Sequence, residues 1–175
     1  NTEIKINQQA FIDELLNDYK LMCLSREASL LGRKEVLTGK AKFGIFGDGK
    51  ELPQIVMAKF FRNGDIRSGY YRDQTFMLAI GKLTVKQFFA GLYAHTNIEK
   101  EPTSAGRQMG GHFSTKFINE DGKWLDLANQ KNSTSDISPT AAQMPRLVGL
   151  GLASKMYRNN KELSHLTNFS NNGNE

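Results

Sequence analysis

The sequence predicts a helix-rich α/β fold, on three observations. Apolar residues recur at three- and four-residue steps from about Asn7 to Leu31, which indicates a long helix. Ile66 to Tyr71 has the composition of a short strand, and the polar residues after it lie where we expect the chain to enter a helix. Thr84 to His95 begins with a capping box, the signature of a further helix. We therefore expect helices to dominate and strands to be few.

Length, composition and charge exclude several classes of protein. The chain has 175 residues, of which 39% are hydrophobic and 23% charged, which suits one globular domain with a sizeable core. Its one cysteine, Cys23, excludes a disulfide framework and a cysteine-rich metal site. No apolar run approaches the ~20 residues of a membrane helix, and Asn1 to Lys5 is not a secretory signal. We expect a reducing compartment and no secretion.

The N-terminal helical segment is predicted over residues 1–38. Asn7 is the expected N-cap, and Gly32 is the expected end of the helix. The periodic positions form one stripe along the helix: Phe11, Leu15, Tyr19, Met22, Cys23, Arg26 and Leu30. We place a boundary after this segment, so that residues 39–175 form the second unit.

A glycine-bearing loop over residues 40–50 opens that unit. Gly44 to Glu51 nearly matches a phosphate-binding P-loop, but Glu51 stands where the motif needs a hydroxyl on magnesium, and no apolar strand precedes it. Two interpretations remain open, a surface turn and a loop that borders a cofactor site. A helix from about Leu52 to Phe61 is expected next, with Pro53 in its first turn.

The run Tyr70-Tyr71-Arg72-Asp73 stands at the carboxyl end of the predicted strand. Ligands of open α/β sheets bind at the carboxyl ends of strands. An arginine beside a phenolic hydroxyl suits a phosphate or diphosphate group. The alternative is a surface ion pair between Arg72 and Asp73 or another acid.

A loop of unusual length is predicted from Thr96 to Asp136. Such loops are usually functional or disordered, and the aromatic residues Phe113, Phe117 and Trp124 favour an ordered, functional one. Within it, Asn119 to Gly122 predicts a hairpin turn. The glycine-flanked run Gly106 to His112 makes His112 a candidate acid–base group or substrate contact, with an exposed, inert histidine as the alternative.

The last helix is predicted to begin at Ser138, with Ser138 as N-cap and Pro139 as first residue. Its buried stripe is expected to repeat every four residues, at Met144, Val148, Leu152 and Met156. The glycines at 149 and 151 suggest close packing against another backbone. This helix N-terminus is either a ligand site or an ordinary cap. Residues 161–175 are polar and are expected to form a loop.

The order of these features resembles a known family. The series consists of the long first helix, Tyr71-Arg72 after a strand, Gly106-Arg107-Gln108-Met109 with His112, and Ser138-Pro139 with Gln143, Pro145 and Gly149. From about Phe11 to Lys155 it is similar to the α-type half of the thiamine-diphosphate-dependent 2-oxo acid dehydrogenases, above all the branched-chain, or 2-oxoisovalerate, branch. The resemblance implies that residues 39–175 are the front part of a doubly wound, diphosphate-binding domain.

The resemblance also implies thiamine diphosphate and Mg²⁺ as cofactors. By similarity, Tyr71 and Arg72 hold the diphosphate. Ser138 and the backbone of Thr140 lie at the aminopyrimidine side of the coenzyme.

Three further roles follow from the same resemblance. Ser138, Pro139 and Gln143 contribute to a monovalent cation site, for K⁺, that some members have. Gln108 and His112 belong to a loop near the substrate entrance, with His112 as the candidate catalytic residue.

The implied reaction is the oxidative decarboxylation of a branched-chain 2-oxo acid. The thiazolium carbanion of the coenzyme adds to the 2-oxo group, carbon dioxide leaves, and the acyl fragment passes to a lipoyl group. The implied partners are a β-type half, separate or fused, and a lipoyl-bearing acyltransferase, in a homo- or hetero-oligomer.

Two departures from the family pattern qualify these expectations. Relatives often have Leu and Thr where this chain has Thr140 and Ala142, and the missing hydroxyl at Ala142 weakens the cation site. The family's magnesium-binding Gly-Asp-Gly…Asn segment is not in its place, since Gly47-Asp48-Gly49 comes too early. We expect that segment just beyond Glu175, which makes the chain an N-terminal fragment, inactive alone and without the pyrimidine-binding half.

A second hypothesis is a non-catalytic basic module that binds nucleic acid or a phosphorylated partner. It rests on the net charge of +5 and on a loose cluster of Lys34, Lys40, Lys42, Lys50 and Lys59. No aromatic residues are interleaved in the pattern of a nucleic-acid module, which argues against nucleic acid. A third possibility is a remnant of the enzyme family that binds no coenzyme. No membrane partner is expected.

Overall fold

The described part of the chain consists of helices and a minimal parallel sheet. A computed structural model describes residues 7–163 and 165–166. In chain order the elements are α1 (Gln8–Leu37), α2 (Glu51–Phe60), β1 (Ile66–Arg67), α3 (Gln74–Ala79), α4 (Val85–Leu92), a 3₁₀ turn (Leu127–Asn129), β2 (Asn132–Ser133) and α5 (Gln143–Asn159). β1 pairs with β2 in parallel, with Ile66 opposite Asn132 and Arg67 opposite Ser133. The helix-rich character is as predicted, and this architecture is compatible with part of an α/β fold. The doubly wound sheet and the boundary after residue 38 stay predictions.

The first helix begins where it was predicted and ends later. The Asn7 side chain caps it by accepting hydrogen bonds from the amides of Gln9 and Ala10, at 3.2 and 3.3 Å. The predicted end at Gly32 is wrong, because the helix continues to Leu37. Gly32 is needed inside the helix, since a Cβ atom there would lie 2.4 Å from the ring of Phe46.

The apolar stripe of α1 lies largely at the surface. Phe11, Leu15 and Tyr19 are each more than half exposed. The buried face consists instead of Ser25, Ala28, Ser29, Gly32 and Glu35. These mostly small residues let α3 approach closely, and hydrogen bonds tie the two helices together.

The hydrophobic core lies where α1, α2, α3 and α4 meet. Its buried side chains are Ala28, Ala58, Phe76, Met77, Ile80, Leu83, Phe88 and Phe113. The predicted capping box at the start of α4 is confirmed. The Gln87 backbone amide donates to the Thr84 hydroxyl, and the Thr84 backbone amide donates to the Gln87 side-chain oxygen. The buried residues of α4 are Phe88 and Leu92, and the helix ends at Leu92 and not at the predicted His95. The helix over Leu52 to Phe61 is confirmed as α2 to within one residue.

The start of the last helix was predicted wrongly. α5 begins at Gln143, and its N-cap is Ala142, because Ala141 takes a left-handed conformation with a φ of 66° that interrupts a helical path from Ser138. The buried stripe is also wrong, since Met144, Val148, Leu152 and Met156 are all more than half exposed. A Cβ atom added at position 149 or 151 would meet no atom within 4 Å, so the predicted close packing is absent among the described residues.

The long loop is ordered by its own hydrogen bonds. The predicted hairpin turn is confirmed by a bridge between Ile118 and Trp124. The buried Glu101 carboxylate accepts hydrogen bonds from the amides of Thr103, Ser104 and Gly106. Burial raises the pKa of Glu101, but these donors outweigh it and hold the pKa below its usual value.

The polar tail predicted as loop from residue 161 lies mostly outside the described residues, and residues 161–163 form a turn. None of the helices in the described part of the chain is long and apolar enough to cross a membrane.

Candidate functional site

The strand predicted from Ile66 to Tyr71 is wrong in its length, because β1 ends at Arg67, and Tyr70 to Asp73 lie in a tight turn between β1 and α3. The Tyr70 amide donates to the Asp73 carboxylate at 2.9 Å, and the Asp73 amide donates back to the Tyr70 carbonyl at 3.0 Å. A parallel bridge joins Tyr70 to Ile137, which brings the segment that contains Ser138 to this turn. Two segments far apart in sequence therefore meet here.

Arg72 presents a positive charge that no described carboxylate neutralises. None of these carboxylates lies within ion-pair distance of it, so the predicted alternative of an ion pair with Asp73 is wrong. Asp73 pairs with Arg67 instead, at 3.0 Å. The Arg72 guanidinium lies over the rings of Tyr71 and Tyr70, 5.4 and 5.9 Å from their centroids, at cation–π distance. A guanidinium in this state is ready to bind an anion.

The two tyrosines share a short hydrogen bond. Tyr70 Oη donates to Tyr71 Oη at 2.6 Å, the ring centroids are 3.9 Å apart, and Thr140 Oγ1 lies 3.4 Å from Tyr70 Oη. Hydrogen bonds from Thr140 and Tyr71 lower the pKa of Tyr70, and the bond to Tyr70 raises the pKa of Tyr71. The two pKa changes have the same cause. When Tyr70 loses its proton, Tyr71 becomes the donor to the Tyr70 oxygen, which stabilises ionised Tyr70 and holds the proton on Tyr71. Tyr71 is buried and Tyr70 is half-buried.

His112 is held between a backbone carbonyl and a hydroxyl. Its Nδ1 lies 3.0 Å from the Met109 carbonyl, which accepts only, so Nδ1 carries a proton. Its Nε2 lies 2.6 Å from Ser138 Oγ, and in the neutral imidazole Nε2 accepts the Ser138 proton. The His112 and Tyr71 rings are 6.1 Å apart. His112 and Ser138 thus join the group formed by Tyr71, Arg72 and Thr140.

The glycine-bearing loop borders this site. Gly47 passes so close to the Arg72 backbone that a Cβ atom at Gly47 would lie 2.3 Å from the Arg72 carbonyl oxygen. The Gly49 amide is already bound by the Glu51 carboxylate, at 3.0 and 3.1 Å. Arg26 pairs with Glu51 at 2.6 and 2.8 Å and holds its pKa at about 2, with the Gly49 amide assisting. The geometry therefore argues against a phosphate-binding P-loop, and the choice between a surface turn and a loop that borders a cofactor site stays a prediction.

A pocket opens on the solvent side of Arg72. Its volume is about 310 Å³, and it lies between the end of α1, the loop segment Gly44 to Phe46 and Arg72. Arg33, a second arginine in its lining, pairs with Asp48 at 2.5 Å. The pocket gives a ligand access to Arg72 from outside.

The comparisons with known proteins agree with the resemblance given above. The 2-oxoisovalerate dehydrogenase subunit alpha of Bacillus subtilis (strain 168) is 31% identical over 161 residues, which is 89% of this chain and 42% of that protein. The chain thus spans about two fifths of the length of the curated relative that it matches. No protein-family profile matches the sequence.

The remaining predicted site residues are near the site but engaged locally. The Gln143 side-chain amide donates to the carbonyls of Ile137 and Pro139, at 3.2 and 3.5 Å. No cluster of three or more His, Cys, Asp or Glu residues fit to hold a metal ion is found in the described part of the chain. The monovalent cation site at Ser138, Pro139 and Gln143 therefore stays a prediction.

Gln108 lies apart from Arg72. Gln108 is exposed, and its backbone amide donates to the Ser104 hydroxyl at 3.1 Å. It shares with His112 the lining of a small cavity of about 30 Å³ beneath the long loop. The structure thus brings Gln108 to His112 and leaves its role in a substrate loop as a prediction.

A buried arginine beneath the site was missed by sequence reasoning. Arg67 lies 2.8 and 2.9 Å from the two Asp136 carboxylate oxygens and 3.0 Å from Asp73, and it donates to the Ser133 hydroxyl at 2.6 Å. Burial raises the pKa of Asp136 to about 7, against the opposing effect of Arg67. This pair joins β1 to the segment that leads to Ser138. An arginine in a two-residue strand gives no periodic signal that could have revealed it.

The cationic cluster behind the second hypothesis is partly neutralised. Lys59 pairs with Glu14 and Asp18, and Lys40 pairs with Glu35. A nucleic-acid or phosphopeptide surface therefore gains no support from the structure.

Proposed function

We propose that this chain forms the diphosphate-binding side of the coenzyme site in a thiamine-diphosphate-dependent 2-oxo acid dehydrogenase. The observation that carries the proposal is the Arg72 guanidinium, which has no counter-ion among the described residues and lies beside the Tyr71 hydroxyl in the turn after β1. The similarity to a protein named 2-oxoisovalerate dehydrogenase subunit alpha supports a branched-chain 2-oxo acid as the substrate.

The residues present fit the diphosphate of this coenzyme. Arg72 supplies fixed charge and parallel donors for phosphate oxygens, and Tyr71 supplies a hydroxyl donor from a buried ring. Thr140 and Ser138 face them from the second segment, where they would lie beside the rest of the coenzyme. When bound, thiamine diphosphate supplies the carbanion and the electron sink for decarboxylation.

His112 suits a role in proton handling or substrate contact. The Met109 carbonyl fixes the proton on Nδ1, so the lone pair of the neutral ring is on Nε2. That lone pair is held by the Ser138 hydroxyl and becomes available when the hydroxyl turns to another acceptor. Gln108 lines with His112 a cavity that is too small for a 2-oxo acid, so a substrate contact of Gln108 rests on the resemblance.

The wider assembly follows from the same proposal. We infer a β-type half, a lipoyl-bearing acyltransferase as acyl acceptor, magnesium as a second cofactor, and a K⁺ ion near Ser138, Pro139 and Gln143. A cytoplasmic or organelle-matrix location fits these partners. Each of these belongs to the proposal alone.

The experiment is a binding titration of the natural protein, purified with any chain that accompanies it. Thiamine diphosphate is titrated in the presence of magnesium and followed by calorimetry. Arg72→Ala should weaken binding roughly 10- to 100-fold, the range for loss of a charged hydrogen bond. The control is Arg62→Ala, an exposed arginine outside the site, which should bind as the natural protein does. Undiminished affinity in Arg72→Ala would refute the assignment.

A further inference from the structure

Three hydroxyl groups form a line that leads away from Arg72. Tyr71 Oη is 3.5 Å from Arg72 Nη2 and 2.6 Å from Tyr70 Oη, and Tyr70 Oη is 3.4 Å from Thr140 Oγ1. Neither the resemblance nor the proposed function gives Tyr70 a role. Its place between the other two hydroxyls gives it one.

The Tyr71 hydroxyl proton is the donor in this line that is left unused. Each phenol has one proton to donate and an oxygen that accepts. The Tyr71 oxygen accepts hydrogen bonds from Arg72 and from Tyr70. No group among the described residues accepts the Tyr71 proton. The Tyr71 hydroxyl, with its oxygen 3.5 Å from Arg72 Nη2, is therefore free to donate its proton to a ligand that Arg72 holds.

We propose that Tyr70 is a positioning residue that, together with Thr140, directs the Tyr71 hydroxyl toward a phosphate oxygen held by Arg72. In this arrangement Thr140 donates to Tyr70, Tyr70 donates to Tyr71, and Tyr71 donates to the anion. With Tyr71 donating to Tyr70 instead, an oxygen lone pair would face the anion and repel it. Hydrogen bonds that run in one direction also strengthen one another.

The ring geometry separates this role from a packing role. The Tyr70 and Tyr71 rings lie 3.9 Å apart, and Arg72 lies over both. Phenylalanine at position 70 keeps the ring, its stacking and the cation–π contact, and removes only the hydroxyl. A change in anion binding in this variant therefore measures the effect of the Tyr70 hydroxyl and not of its ring.

The inference rests on the proposed function only for the ligand class, a diphosphate. The test uses inorganic pyrophosphate as the probe and the natural protein with any accompanying chain. Tyr71→Phe should weaken pyrophosphate binding about 10-fold, and Tyr70→Phe about 3- to 10-fold. In the double variant, Tyr70→Phe should add nothing to the loss from Tyr71→Phe. The control is Tyr93→Phe, which removes a hydroxyl bonded to Glu35 outside the site and should leave the affinity unchanged.

The outcomes distinguish the two proposals. An unchanged affinity in Tyr70→Phe overturns the positioning role of Tyr70. An equal loss of affinity from Tyr70→Phe in the natural protein and in the Tyr71→Phe variant overturns it as well. An unchanged pyrophosphate affinity in Arg72→Ala overturns the proposed function itself. Thermal unfolding of each variant is measured alongside, and a loss of affinity without a change in midpoint supports the positioning role.

Discussion

Gly69 provides a direct test of the buried ion pair between Arg67 and Asp136 beneath the site. Gly69 is buried between β1 and Tyr70, and a Cβ atom there would lie 1.8 Å from Arg67 Nη2 and 1.9 Å from Arg67 Cζ. In Gly69→Ala the guanidinium must therefore move by at least about 1.5 Å to reach contact distance. That movement breaks its bonds to Asp136 and Asp73, now 2.9 and 3.0 Å.

The expected cost follows from the burial of the pair. Breaking a buried ion pair costs roughly 3–5 kcal/mol, and we expect about 3 kcal/mol because Asp136 can take up a proton when it loses Arg67. In a domain of this size that loss lowers the midpoint of thermal unfolding by roughly 6–12 °C. The measurement is urea and thermal unfolding, followed by circular dichroism. It is made at pH 8 because Asp136 is ionised at that pH in the natural protein.

A second glycine provides the matched control. Gly91 lies inside α4, and a Cβ atom there would meet only Glu101 Cγ at 4.0 Å. Gly91→Ala should stabilise the protein by about 0.5–1 kcal/mol, the difference in helix propensity. If Gly69→Ala unfolds within 1 kcal/mol of the natural protein, the claim that Arg67 holds these segments together is refuted.

Two further predictions concern the dependence of stability on pH. The folded pKa of Asp136 is about 7, above its unfolded value of 3.8, so the folded state holds an extra proton between these values. The Asp136 contribution to the free energy of unfolding should then fall, by up to about 4 kcal/mol, as the pH rises from 4 to 7. Asp136→Asn should flatten that slope in denaturant titrations, and an unchanged slope would contradict the assignment. The folded pKa of Glu51 is about 2, below its usual 4.5, so its contribution is present above pH 4.5 and is lost as the pH falls toward 2. Glu51→Gln should lower stability at pH 7 by about 1–2 kcal/mol, a value reduced for the half-exposed Arg26, and should make no difference at pH 2.

Local signals in the sequence were sufficient for caps and turns. The Asn7 cap, the capping box at Thr84 and the hairpin turn after Asn119 all depend on hydrogen bonds between near neighbours. Residue types a few positions apart therefore predict them. The predicted strand before Tyr71 and Arg72 was only partly correct, because β1 ends at Arg67 and a turn leads from it to these residues.

Apolar periodicity did not predict which faces of α1 and α5 are buried. In α1 and α5 it correctly indicated an apolar stripe, but tertiary packing decides what covers a stripe. The buried face of α1 carries Ser25 and Ser29, whose hydroxyls bond to Thr75 and Gln74. Polar residues of this kind are indistinguishable from surface residues in a sequence.

The supporting groups of the site could not be predicted, since they depend on pairing between distant segments. Arg67 meets Asp136 across 69 positions, and Tyr70 meets Thr140 across 70. Both contacts depend on the register between β1 and β2. Each strand has two residues, and an apolar pattern of that length is too short to predict a register. The wrong start of the last helix has a local origin, the left-handed conformation of Ala141, which no residue type nearby indicates.

The pairing of β1 with β2 has a consequence for ligand selection. Because Arg67 and its two carboxylates hold the strands together, the spacing between Arg72 and the Ser138 segment is set before any ligand binds. A ligand that contacts both sides then orders little of the protein, which lowers the entropic cost of association. Affinity at such a site depends on whether the ligand has the right length to reach from its charged end to the far segment. Shortening or extending a ligand should therefore weaken binding even when its charge is kept.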